Sequence, residues 1–342
     1  MRVWIFVYLV SLGSCTGVYK AKKVAEYISL ADTNFVIKDT HNISTTFSYS
    51  GCGGFYIENN GAGVLIDPYF SNIGPMIFVK SKELSTDSSS IEAYFSKIDT
   101  SNIRFLLTGH THIDHVGDYP FIYNRYISSN VKLVGNKTLH FLMSGLKNYP
   151  KGDSVIYDKT GNWIYSMDSL IRVMPIESEH APHFLGMKVA PVAPLKKPVN
   201  KFPVKSKNFP EGVNHNFVID FLKKDGAVLT RVFSSAAAAA KFPVGMPNKD
   251  VLKDHPVDVL LLCGASYQYA KRYPEHVVSM VLPKFILVSH WENFFQPWEE
   301  LRNKPKVVPF TNMKKLIRKL EESDSSPLFV LPNVGTSIEV HH

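Results

Sequence analysis

Short runs of branched and aromatic residues, each broken by turn residues, recur along most of the chain. The run Ile103-Arg104-Phe105-Leu106-Leu107 has the length and composition of a buried strand. Earlier, Thr45 to Ser50, Gly54 to Glu58 and Gly63 to Asp67 read as three successive strands separated by glycine-rich or Asn-Asn-Gly turns, a meander. Ser88-Ser89-Ser90-Ile91 has the serine-then-apolar look of a capped helix start. Helices are predicted over Tyr119 to Tyr126 and Thr138 to Leu146, with a strand at Val131 to Val134 between them. Ser169 to Ile176 is a further strand, and His215 to Phe221 with Ala227 to Phe233 forms a hairpin across Lys223-Lys224-Asp225-Gly226. Strands at Asp258 to Leu262 and Lys284 to Ser289 precede an amphipathic helix from Asn312 to Glu322 and a closing strand at Pro327 to Leu331. This alternation of short strands and helices predicts a layered α/β class.

Two stretches break the pattern. Residues 185–212 show no periodicity and are dense in proline and lysine, and so long a loop in a compact domain usually has a task. It reads as a lid over a site, with Phe202 and Phe209 suited to face lipid. At the amino terminus, Arg2 precedes the uncharged run Val3 to Val10, too short to span a bilayer but of the length of a signal-peptide core. Residues 1–14 therefore read as an export signal, 15–32 as a tether and 33–342 as the folded domain. Leu12-Gly13-Ser14-Cys15 resembles the lipobox of bacterial lipoproteins, which implies a cell-envelope protein lipid-anchored through Cys15; ordinary signal cleavage nearby leaves Cys15 incidental.

Composition narrows this further. With 342 residues, 45% hydrophobic and 12% aromatic, the chain has ample core material and is not disordered. Its net charge of +8 is spread out except for Lys196, Lys197, Lys201, Lys205 and Lys207, which give the 185–212 loop a local positive field. No nucleic-acid motif accompanies it, so anionic phospholipid or a phosphate-bearing small molecule is the expected partner. Cys52 and Cys263 each lie beside glycine and fit either a disulfide or two small buried thiols.

The chemistry concentrates directly after the Ile103 to Leu107 strand, in Thr108-Gly109-His110-Thr111-His112-Ile113-Asp114-His115. Buried imidazoles and carboxylates must be hydrogen-bonded, paired or bound to an ion, and so many at one strand end point to metal. The two-residue step from His110 to His112 puts both rings on one side of extended chain. Asp114 and His115 lie beyond it and can turn toward a second position. Imidazole with carboxylate suits zinc, with iron or manganese as lesser options. A second strand end delivers Glu177-Ser178-Glu179-His180-Ala181-Pro182-His183, and a third His290-Trp291-Glu292-Asn293.

These residues resemble the signature of the metallo-β-lactamase superfamily, over most of the chain after the first thirty or so residues. The resemblance implies a four-layer αβ/βα sandwich with a metal site at the edge between its two sheets. It implies His110, His112 and His180 as ligands of one zinc, and Asp114, His115 and His290 as those of a second. His183 is then a pocket group, though His180 and His183 could exchange roles, and Asp67 orients the metal-binding loop. The expected chemistry is hydrolysis by metal-activated water, with Asp114 as the base orienting that water if the second position is empty or weak, on an ester, lactone or phosphodiester substrate that could be lipid-like. The surroundings of His180 and His290 look closest to the broad branch containing ascorbate-phosphate lactonase and N-acyl phosphatidylethanolamine phospholipase D. One departure stands out. Where relatives place an aspartate bridging two metals, this chain has Ser234-Ser235 followed by Ala236 to Ala240, so the second position is expected to be weakened. A metal-holding, lipid-anchored binding protein with weakened catalysis is the other reading.

Overall fold

The computed structural model describes residues 35–37, 44–72, 74, 83–149, 155–156, 160–183, 187–188, 190, 193–239, 241–323 and 327–341. The signal, lipobox and tether expectations fall outside these residues, as does part of the 185–212 loop. Among the described residues no helix is long and apolar enough to cross a membrane.

The first seven strands are β1 (Phe35–Ile37), β2 (Ser44–Gly51), β3 (Gly54–Asn59), β4 (Ala62–Ile66), β5 (Ile103–Leu107), β6 (Lys132–Val134) and β7 (Val155–Ile156). The next seven are β8 (Ile164–Tyr165), β9 (Ile171–Ser178), β10 (Asn214–Leu222), β11 (Val228–Ser235), β12 (Val259–Cys263), β13 (Phe285–Ser289) and β14 (Leu328–Val330), and the last is β15 (Ser337–His341). One sheet runs β1-β15-β2-β3-β4-β5-β6-β7 and the other β14-β13-β12-β11-β10-β9-β8. The β2-β3-β4 meander and the β10-β11 hairpin are antiparallel, while β4-β5-β6 and β11-β12-β13-β14 are parallel. Pro327 to Leu331 supplies β14 but does not close the fold. That role falls to β15, which returns to the first sheet between β1 and β2.

The sequence alternation is what layers the molecule. On β12, Val259 and Leu261 join the cluster that fills the space between the sheets, with Phe47, Val64, Phe105, Phe217 and Ile219. Leu260 and Leu262 point the other way, onto Val277 and Val278 of one outer helix (Glu275–Val281) and Leu316 and Leu320 of another (Met313–Glu321). A strand buried on both faces needs apolar residues at every position, and β12 reads Val-Leu-Leu-Leu-Cys. The helices Ser88–Phe95, Tyr119–Tyr126 and Lys137–Met143 cover the first sheet through Ile91, Ile122 and Leu139. The first of these is capped by Asp87, whose carboxylate accepts from Ser90 N–H, and not by the serines that follow. Two sheets, each with helices outside, make the four-layer αβ/βα sandwich.

The 185–212 loop departs from expectation. Phe209 is fully buried and Phe202 nearly so, their rings 5.7 Å apart within the core. The Val199 N–H donates to Phe141 O (3.1 Å), and Phe202 N–H to Gly145 O (3.2 Å), where a side chain on Gly145 would strike the Phe202 backbone. Phe202 and Phe209 therefore do not face lipid. The described part of the loop is pegged to the flank of the first sheet, and Lys196, Lys197, Lys201 and Lys207 stand exposed on a fixed shelf. Periodicity could not reveal this, because the pegs are single aromatics separated by proline-rich turns.

Candidate metal centre

Four strand ends converge on one edge of the sandwich: those of β4 and β5 from the first sheet, and of β9 and β13 from the second. Beyond β5 the chain stays extended through His112, whose ψ of 156° precedes a short helix, Ile113–Val116. Hence His110 and His112 sit side by side with ring centroids 4.7 Å apart, and the helical turn swings Asp114 and His115 to a separate position. His180, just past β9, closes the first group, its ring 4.9 Å from His110 and 5.5 Å from His112. One ligand atom from each of His110, His112 and His180 lies within 4.8 Å of the other two; Asp114, His115 and His290 satisfy the same condition. His183 lies beside the first group, 4.5 Å from the His180 ring.

The His180 Nδ1–H donates to Ala181 O (2.6 Å), which holds that ring in one tautomer and leaves Nε2 with its lone pair toward the other histidines. Asp67, buried with a positive φ of 39°, accepts from Gly109 N–H (2.9 Å) through Oδ1 and approaches His115 Nδ1 at 3.0 Å through Oδ2. It thus braces both the start of the histidine loop and one member of the second triad. His290 also adopts a positive φ, 53°, and brings its Nε2 within 3.4 Å of Asp114 Oδ2.

Charge follows geometry. Burial and neighbouring imidazoles push His110 well below its ordinary pKa, and burial with His183 and His112 does the same to His180, so both are neutral as metal ligation requires. Burial brings His183 down to about 4. Burial also favours protonation of Asp114, but His115 and His290 overcome it and hold the group below the usual carboxylate range. His110 Nδ1, His115 Nε2 and His290 Nδ1 are buried without a hydrogen-bond partner among the described residues. Buried imidazole nitrogens are costly to leave unpaired, and two groups of donors at such spacing fit two metal ions.

Sequence reasoning named the six residues of these two clusters and both neighbours, Asp67 and His183. It passed over Tyr49, Gly53 and Glu292. Gly53 packs so closely that an added side chain would sit 3.2 Å from the His115 ring. Glu292, two residues past His290, is buried and bonds to Tyr49 across the sheets. Only the pairing of distant segments shows these roles. Glu179 pairs with Lys241 at 3.4 Å on the surface. Cys52 and Cys263 are free buried thiols. Ala236, Ala237 and Ala238 run along the floor, Ala236 against Gly109 and Ala238 accepting from Ala181 N–H, and offer no donor side chain.

No family model matches the chain, and no curated protein matches it. Among solved structures it is similar to Igni18, a novel metallo hydrolase from Ignicoccus hospitalis, at TM-score 0.54 and 16% identity over 86% of this chain and 98% of that one. A possible metal-dependent hydrolase from Veillonella parvula matches at TM-score 0.51 and 13% identity, over 86% of this chain and 98% of that one. CmlA, a diiron β-hydroxylase from Streptomyces venezuelae, matches at TM-score 0.50 and 13% identity, over 89% of this chain but 55% of that one. With two sheets facing each other, helices outside both and two donor triads at their shared edge, the chain has the metallo-β-lactamase fold.

Proposed function

We propose that this chain is a metal-dependent hydrolase acting on an anionic ester, a phosphodiester or lipid-like phosphate ester in particular. The observation that carries this is the pair of preformed triads, His110-His112-His180 and Asp114-His115-His290. A divalent ion held there, zinc by donor type or alternatively iron or manganese, supplies Lewis acidity and lowers the pKa of a bound water from about 16 toward 7. The residues do the rest. His180 is fixed in its donor tautomer by Ala181, Asp67 steadies His115, and Asp114, kept ionised, can ligate a second ion or, where that position is weak, orient a water by accepting its hydrogen bond.

Charge favours an anionic substrate. The two triads contain five imidazoles and a single carboxylate, so the protein offsets little of the charge of two divalent ions. A phosphate oxygen makes up that deficit better than a neutral lactone or β-lactam. The exposed lysines of the 196–207 shelf add positive potential, which also suits contact with anionic lipid. Together with the apolar run Val3 to Val10 and Cys15, this supports an exported, membrane-associated enzyme.

Elemental analysis joined to a panel of chromogenic phosphodiesters, esters and lactones tests the reading, with His112→Ala alongside. Metal bound to the wild type, phosphodiester turnover, and a fall to background in the variant are expected. A wild-type protein without affinity for zinc, iron or manganese would sink the proposal. Bound metal with no turnover across the panel would favour instead a metal-holding binding protein, the reading that Ala236–Ala238 supports.

A further inference from the structure

The second triad draws on both sheets, Asp114 and His115 from one and His290 from the other, and no carboxylate side chain runs along the floor at Ala236 to tie them together. A buried hydrogen-bonded group next to it spans the same gap. The Tyr49 hydroxyl, at the end of β2, accepts from the His290 backbone N–H (2.8 Å) and donates toward Glu292 Oε2 (2.5 Å), with Cys52 O at 2.9 Å. Glu292 Oε1 accepts from Cys52 N–H (2.5 Å). Tyr49 is fully buried and Glu292 is 1% exposed. Gly51 and Cys52 both have positive φ, which turns the chain sharply and brings Gly53 against the His115 ring. One side of the group therefore fixes the backbone from which His290 projects. The other fixes the turn that backs His115.

Resting on the reading of these triads as a metal centre, we infer that Tyr49 and Glu292 are positioning residues for the second metal, holding His290 and His115 in register across the two sheets. They supply register across the two sheets, and neither the donor atom nor the charge of a shared carboxylate. Their hydrogen bonds run to the His290 backbone and to the Cys52 turn, both on the side of the second triad, so their influence falls chiefly on that ion.

Cobalt titration of the metal-free protein, followed by the visible d–d absorption that reports coordination number, tests this in wild type, Tyr49→Phe and Glu292→Gln. The wild type should take up two equivalents with distinct spectra. Each variant should bind the first equivalent unchanged and the second about 10- to 100-fold more weakly. Thermal melting of the metal-free proteins confirms folding. If Tyr49→Phe does not fold, Glu292→Gln, which keeps the side-chain shape, decides. Equal weakening of both equivalents would reduce the pair to a general structural role, and no weakening, or a wild type that binds one equivalent only, would overturn the inference. A wild type that binds no cobalt would instead remove the metal-centre reading itself.

Discussion

Asp118 lies just past the histidine loop, and its carboxylate accepts from Phe70 N–H (2.7 Å), Ser71 N–H (2.9 Å) and Ser71 Oγ–H (2.5 Å). It ties the chain leaving Asp67 to the helix that follows the site. Burial pushes its pKa up to about 6 from 3.8, against the pull of those hydrogen bonds. A carboxyl group with a higher pKa folded than unfolded binds its proton more tightly when folded. Its contribution to stability is therefore full below about pH 4 and is lost as pH rises from about 4 to 6, an effect of about 2–3 kcal/mol. Urea midpoints of the metal-free protein across that window should fall with rising pH in wild type relative to Asp118→Asn, whose amide does not titrate. Parallel profiles would refute the assignment. At this scale the sequence was most informative about ligands, because six of the eight positions from Thr108 to His115 are polar side chains that a strand end would not otherwise gather. It was silent about Tyr49 and Glu292, since a tyrosine in a strand and a glutamate after a tryptophan are ordinary until their partner is known.

Among the elements, the histidine loop depends on one close approach. A side chain on Gly109 would stand 2.2 Å from the Ala236 methyl and 2.9 Å from Asp67 Oδ2. Gly109→Ala should displace β11's end or Asp67, destabilising the protein by about 1–3 kcal/mol and weakening both metal equivalents, as read by denaturation and cobalt titration. Retention of wild-type stability and affinity would show that the floor can yield. Strands and long periodic helices were legible beforehand: β5, the β10–β11 hairpin and the helix Met313–Glu321 lie where the pattern places them. The short helices Lys249–Asp254, Glu275–Val281 and Trp298–Asn303 were not, because one or two turns carry too few apolar positions to establish a period. The 185–212 loop read as a lid for the same reason, while tertiary burial of Phe202 and Phe209 fixes its described part in place.

On the scale of the whole molecule, the sheets are joined by more than apolar contact. Thr45 and Thr230 share a buried hydrogen bond between them (2.9 Å); within the second sheet, a row across β9, β10 and β11 pairs Arg172, Asp220 and the fully buried Arg231. A metal bound by ligands from both sheets adds a further cross-link that exists only in the folded state. Zinc at a hundredfold excess over its dissociation constant should therefore stabilise the protein by about 2.7 kcal/mol per site, seen as a rise in melting temperature that chelation reverses. His112→Ala should lose the part owed to the first site. Equal melting temperatures with and without metal would argue against ligands drawn from both sheets.

The chain's own alternation determined the layered class, and the run His110 to His115 determined that a metal would be held, because both depend on spacing within a few residues. His180 and His290 were joined to that run by the superfamily resemblance, whereas which glutamate backs His290 and which phenylalanines peg the lysine shelf were decided only by tertiary structure. Those contacts join residues more than a hundred positions apart or buried by neighbours from another element, and no local pattern encodes such a meeting.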